Sequence, residues 1–254
     1  MDMFCSDYFH PKNPIMLKKL PILMVALTAA FSVSAQSLDE ILNSYFENTG
    51  GLEKWRALET TRMTGKISMG PMEFAGVISS KKPNKQRVEV DVQGQKVVQA
   101  YDGTTAWWIN PFATGPEAQP VPDEMAEEMK KEEFENPFLD YEKKGSTVEL
   151  LGEEAVEGTA TFKVKLTKKN GDVQTYFFDK EYFVPIMMQA SVSSGQAKGQ
   201  ITETYFSDYQ EVDGYMMPFF LEVKIGGETT QKITIEKVEV NPPLEDAFFD
   251  FPKK

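Results

Sequence analysis

His10 and Cys5 are the only histidine and cysteine of the chain, and both lie close to its start. Imidazole and thiolate supply most general bases, nucleophiles and zinc ligands at neutral pH. From Gln36 to Lys254 neither occurs, so carboxylates are the acid–base groups that remain. Acidic residues are plentiful, but they fall in runs such as Glu127-Glu128 and Glu132-Glu133 that read as solvated faces, and no spacing singles out a catalytic pair. The sequence contains neither a Gly-rich phosphate loop nor an EF-hand calcium loop. This pattern predicts a protein that is not an enzyme, with no catalytic residue, no cofactor and no metal.

What remains is the chemistry of apolar binding. Residues 101–112, YDGTTAWWINPF, set Trp107 beside Trp108 in a strand-like stretch. Successive strand side chains point to opposite faces, so the two indoles cannot share one pocket. Trp107 with Ile109 opposes Trp108, and Val173 with Phe177 opposes Tyr176 with Phe178. Strands that are bulky on both faces need cover on both. The interior is then either a packed core or a cavity lined by adaptable side chains. Thirteen methionines, among them Met63, Met69, Met72, Met125, Met129, Met187, Met188, Met216 and Met217 near apolar faces, favour the cavity. One tryptophan is expected to face cavity and lid, the other the outer face beneath a loop or terminal segment.

The elements that must position these residues follow from periodicity. Ser37 and Glu40 form a capping box ahead of Leu38, Ile41, Leu42, Tyr45 and Phe46, which recur at helical spacing. Gly50-Gly51 ends that helix, and residues 52–58 predict a second short one carrying Trp55 against the same surface. From Thr60 the period becomes two, and about a dozen strands punctuated by Gly70-Pro71, Pro83-Asn84, Gln93-Gly94 and Asp102-Gly103 predict an antiparallel meander. Val88, Val90 and Val92 alternate with Arg87, Glu89 and Asp91, as on a sheet with one wet face. Residues 111–122 read as a proline-rich loop, residues 123–134 as a helix with Met125 and Met129 on one side, and Asn136-Pro137 as its interruption. The expected fold class is α+β: a single curled antiparallel sheet, or half-barrel, with helices covering the concave face. An all-β sandwich is the alternative, against which the helices count.

The first 35 residues have the layout of a secretion signal: Lys18-Lys19, an apolar run from Leu20 to Phe31, and Val33-Ser34-Ala35 as the cleavage site. Met16 directly precedes it, so residues 1–15 read as an upstream mis-start. Residues 36–254 are then one domain, exported and soluble, and Gln36 stands where a lipid-anchored protein would carry its acylated cysteine. The whole chain has net charge −12, and the leader removes three lysines and two aspartates, leaving −13. Such an acidic chain is repelled by phosphate backbones, so no nucleic-acid partner is expected.

Lys81-Lys82-Pro83-Asn84 followed by the 101–112 strand resembles the LolA-like family of periplasmic carriers that sort lipoproteins to the outer membrane. Phe178-Asp179-Lys180 through Val184-Pro185, and Asn241-Pro242-Pro243-Leu244 through Phe249, are similar to that family's closing strands and tail. Trp107 and Pro111 match the aromatic and proline of its strand motif, while Trp108 and Ile109 replace the second aromatic pair. The resemblance implies a half-barrel with a helical lid around a cavity for lipoprotein or lipid acyl chains. An inner-membrane transporter and an outer-membrane receptor are the implied partners, and a monomer is expected. The cavity and lid residues are then Met63, Ile67, Phe74, Trp107, Trp108, Ile109, Met125, Met129, Phe138 and Phe177, with residues 111–141 as the lid. Lys82 falls where well-studied members carry an arginine that gates the lid; a lysine lacks the planar fork, so a latch here would be weaker or built differently. The competing reading is an envelope-stress sensor that uses the same cavity. Known regulators of that kind add a second domain, and the end of this chain at Lys254 favours the carrier.

Overall fold

The computed structural model describes residues 36–252 apart from 194 and 196; the expected signal segment lies outside the described residues. Two helices, α1 (Leu38–Asn48) and α2 (Leu52–Ala57), precede six strands, β1 (Thr60–Met69), β2 (Met72–Lys81), β3 (Lys85–Val92), β4 (Gln95–Tyr101), β5 (Ala106–Asn110) and β6 (Gly115–Pro120). A third helix, α3 (Asp123–Lys131), leads to β7 (Thr147–Val156), β8 (Thr159–Thr167), β9 (Val173–Asp179), β10 (Pro185–Ser191), β11 (Ile201–Val212), β12 (Tyr215–Ile225) and β13 (Glu228–Val240). All thirteen strands form one sheet in the order β6-β5-β4-β3-β2-β1-β13-β12-β11-β10-β9-β8-β7. Every pairing is antiparallel, and the sheet is open and curled, an α+β fold. The edges are β6, which carries Pro116 and Pro120, and β7, which carries Glu149, Glu153 and Glu154. Proline and charge at an edge discourage pairing with a second chain.

The capping box of α1 is present: Ser37 N–H donates to Glu40 Oε2 at 2.8 Å, and Glu40 N–H to Ser37 Oγ at 3.2 Å. Its stripe of Ile41, Leu42, Tyr45 and Phe46 is buried against Phe162, Val164 and Leu166 of β8, Tyr176 and Phe178 of β9, and Phe138. Gly50 then turns the chain at φ +118°, where a Cβ would fall 2.4 Å from the carbonyl oxygen of Gly214 in the β11–β12 turn. Trp55 of α2 meets Tyr215 edge-on at 5.5 Å and donates from Nε1 to Thr49 Oγ1 at 3.1 Å.

Cross-strand partners share a face of the sheet. The pairs Trp108–Gln99, Gln99–Val88, Val88–Ile78 and Ile78–Met63 run in one line across β5 to β1. Phe74, Ile67, Ile233 and Leu221 continue that face into β12, and Met188, Tyr176 and Val164 occupy it in β10 to β8. The helices pack on it. At the join of β1 and β13 the register slips between Thr64 and Gly65. A Cβ on Gly65 would sit 2.0 Å from the Thr234 carbonyl oxygen, whereas one on Gly76 opposite would press on the Ile67 side chain at 2.8 Å and meet the Glu89 carbonyl oxygen at an ordinary 3.6 Å. Glycine here admits the close approach of two backbones at a bulge.

The other face differs from expectation. The alternation in β3 predicted water against Arg87 and Glu89, but the C-terminal segment covers Arg87, which pairs with Glu89 at 2.6 Å. Arg87 lies 4.7 Å over the Phe248 ring and donates to the Phe248 carbonyl at 3.0 Å. The stretch expected as a loop contains β6, which proline tolerates because only one side of an edge strand is paired. The helix expected to reach Phe134 ends at Lys131, and Glu132 turns extended, at ψ 124°.

Candidate functional site

A cavity of about 280 Å³ opens on the helix face. Its apolar walls are Trp55 and Leu58 from α2 and its exit, Met63 of β1, Met217 and Leu221 of β12, Ile235 of β13, and Phe134. Trp55 is there because Gly50-Gly51 starts a new helix directly after α1. Phe134 is there because its N–H donates to the Pro83 carbonyl at 3.3 Å, which pulls the chain after α3 down over the opening. Glu132 and Glu133, which read as a solvated run, flank Phe134 and line the same cavity. Glu132 is an exposed residue, but the protein crowded around its carboxyl raises it above the ordinary carboxylate range, opposed by Lys168 and reinforced by Glu128 and Glu133.

The segment over this cavity hangs between two anchors. At one end Val121 and Met129 pack on Tyr101 and Ala106, with Met125 and Trp108 beside them. At the other, Asn136 donates from Nδ2 to Tyr45 OH at 2.6 Å and accepts the Phe138 N–H at 3.0 Å. Burial pushes the Tyr45 phenol up to about 12 despite that bond, so it stays protonated. Between the anchors α3 reaches the β10–β11 loop through polar groups: Ser193 Oγ donates to Glu128 at 2.6 Å, and Gly195 N–H to Glu124 at 2.9 Å. The Ser193 bond holds the Glu128 carboxyl below its ordinary range. Nine residues with Met129 alone buried and no side-chain cap at Pro122 make a helix with little stability of its own.

Among the expected site residues, Met63 lines the cavity. Ile67 and Phe74 share its face farther along β1 and β2, Phe138 packs against α1, and Met125, Met129 and Trp108 cluster under α3. The Nε1 of Trp108 is buried with no hydrogen-bond partner among the described residues. Trp107, Ile109 and Phe177 are corrections. Trp107 and Ile109 lie on the opposite face with Val98, Ala100 and Phe251, and Trp107 donates from Nε1 to the Phe249 carbonyl at 2.9 Å. Phe177 is buried on that face too, with Val156 and Met187. Strand alternation sends each away from a neighbour that faces the helices. Lys82 Nζ donates to the Arg56 carbonyl at 2.6 Å and pairs with Glu59 and Glu135, each at 3.4 Å. Sequence reasoning missed Leu58, Phe134, Leu221 and Ile235 as lining; Phe134, an aromatic closing a charged run, was the available signal.

No curated protein matches the chain. A family model described as "Uncharacterized protein" matches residues 91–252. Among solved structures, a DUF1329 family protein from Desulfovibrio piger aligns with a TM-score of 0.56 at 16% identity, over 83% of this chain and 97% of that one. A putative outer membrane lipoprotein-sorting protein domain from Vibrio parahaemolyticus aligns with a TM-score of 0.54 at 14% identity, over 83% and 95%. A LolA superfamily protein from Nitrosomonas europaea aligns with a TM-score of 0.53 at 13% identity, over 85% and 98%. These likenesses carry the fold, and the family model, spanning more than half the sequence, carries membership: the chain has the LolA-like fold and belongs to the uncharacterized family whose model matches residues 91–252.

Proposed function

We propose that this protein is a periplasmic carrier that takes acyl chains of lipoproteins or other lipids into the cavity and delivers them toward the outer membrane, acting by binding and release rather than by chemistry. The observation that carries the reading is the apolar cavity of about 280 Å³ with Phe134 in its wall, on a segment held to the β2–β3 turn by the bond to the Pro83 carbonyl. That volume is near the lower limit of small-ligand pockets, roughly 300 Å³ upward. Lifting residues 132–134 would join it to the hollow of about 760 Å³ that Glu132 also lines. An inner-membrane transporter would load such a carrier and an outer-membrane receptor unload it, with the carrier a monomer. The likeness to the Vibrio parahaemolyticus structure, a putative outer membrane lipoprotein-sorting protein domain, supports the same reading. No helix among the described residues is long and apolar enough to cross a membrane.

The test is native mass spectrometry with lipid extraction on protein purified from cells. A lipid or acylated peptide bound one to one is the expected result. Protein that is consistently empty, and stays empty when offered lipid, would sink the proposal.

A further inference from the structure

Three hollows meet at residues 132 and 133. Glu133 lines both the apolar cavity and a hollow of about 640 Å³ that five lysines surround: Lys130 and Lys131 at the end of α3, Lys144 in the turn after Phe138, and Lys168 and Lys169 in the β8–β9 loop. In a chain of net charge −12 such a concentration of cations is local and opposite to the whole. Four of the five are occupied by carboxylates of one short segment. Glu127 holds Lys130 at 2.6 Å, Glu128 holds Lys131 at 3.0 Å, Glu135 holds Lys144 at 3.2 Å, and Glu133 reaches Lys168 only at 3.9 Å. Lys169 has no carboxylate partner among the described residues.

The pairs divide into two kinds. Lys130 and Lys131 are bound within α3 itself. Lys168 belongs to the β8–β9 loop and Lys144 to the turn before β7, and Glu133 and Glu135, which neutralise them, belong to the strap beside the cavity. Accessible ion pairs of this sort are weak and exchange readily for a stronger anion. A phosphate or carboxylate group offers more than one oxygen to several lysines at once.

On the carrier reading above, we propose that the lysine-lined hollow receives the anionic head group of the amphiphile whose chain fills the cavity. The head group takes Lys168 and Lys169, displaces Glu133, and so releases the strap that holds Phe134 over the chain site. The ligand class is an anionic amphiphile carrying phosphate or carboxylate next to its apolar part.

The experiment titrates the full folded protein, following tryptophan fluorescence and heat, with dodecyl phosphate, dodecyl maltoside and inorganic phosphate, each below any micelle concentration. Dodecyl phosphate is expected to bind at least about tenfold more tightly than the maltoside. In the double variant Lys168→Gln/Lys169→Gln, and in about 0.5 M salt, that advantage should vanish while maltoside affinity holds, which also certifies that the variant is folded. Equal binding of the two amphiphiles to the unaltered protein overturns the head-group site and leaves the carrier reading standing. An advantage that survives the double substitution overturns the site as well, and so does inorganic phosphate binding as tightly as dodecyl phosphate, which would mark a free-anion site. Failure of both amphiphiles to bind overturns the carrier reading itself, and this site with it.

Discussion

Lys82 Nζ and Glu135 Oε1 lie 3.4 Å apart, joining the β2–β3 turn to the stretch that follows Phe134. The same carboxylate takes Lys144 at 3.2 Å, so Glu135 is held between two cations, one in the β2–β3 turn and one in the turn that leads into β7. Replacing Lys82 by methionine keeps its aliphatic stem and removes one of these holds. Global stability should fall by no more than about 1 kcal/mol, while amide exchange in residues 123–135 accelerates severalfold. Unchanged exchange there would show that Lys82 is not a latch.

The helix α3 should open far more readily than the sheet unfolds, because its hold on the β10–β11 side is polar and exposed. Hydrogen exchange on the empty protein should find amides 123–134 less protected than those of Val88 to Val92, and bound lipid should change the former. Met125→Asp places a charge beside Trp108 and should weaken lipid binding well beyond its effect on the unfolding midpoint. Equal protection of helix and strand would make α3 a fixed element.

The adjacent tryptophans should respond oppositely to one substitution. Trp107→Phe strands the Phe249 carbonyl in a buried site and should cost about 1–3 kcal/mol. Trp108→Phe removes a buried N–H that has no partner among the described residues, which offsets the lost ring contact, so the change should stay within about 1 kcal/mol of zero. Urea midpoints decide; a costlier change at Trp108 than at Trp107 would refute the assignment of faces.

Gly65→Ala should cost about 3 kcal/mol or more, because its new methyl meets a backbone oxygen in a paired strand. Gly76→Ala should cost only about 1 kcal/mol, because the Ile67 side chain can turn aside. Denaturation of the two variants side by side reads the order directly, and the reverse order would place the tight approach elsewhere.

Glu132 gives the strap a pH dependence. Its carboxyl is raised in the folded protein, so the folded state binds that proton more tightly than the unfolded chain does. Its contribution to stability is therefore largest at acid pH and is lost as pH rises from the ordinary carboxylate value through the raised one. Glu128 and Glu222, both lowered, act in the opposite sense and weaken the fold as pH falls. Glu132→Gln should increase the protection of amides 132–134 at pH 7 and flatten its dependence between about pH 4 and 7. A variant with the same slope as the parent would assign the dependence to another group.

The sheet was legible because its signals are local. Ser37 and Glu40 three residues apart write a helix start, and the two-residue period of β3 to β5 together with their glycine turns writes a meander. The parity of Trp107 and Trp108 required opposite faces, and the structure shows opposite faces. What parity cannot say is which face holds a cavity, since that depends on which side the helices take after the whole sheet has curled. Ile109 and Phe177 were assigned to the cavity for that reason and lie behind it. Glu132 and Glu133 were hidden for a related one: a charged run looks the same whether it faces bulk water or spans a hollow, and only the Phe134–Pro83 bond, across fifty residues of sequence, distinguishes the two.

The outermost strands β6 and β7 are consecutive in the chain, so residues 121–146 form the only covalent link from one margin of the sheet to the other. The arrangement is that of a bow and its string. If a guest spread the curl, the two tips would draw apart and the string would tighten, pulling on the Phe134–Pro83 bond from both ends. Width of the sheet and position of the strap would then be one mechanical coordinate.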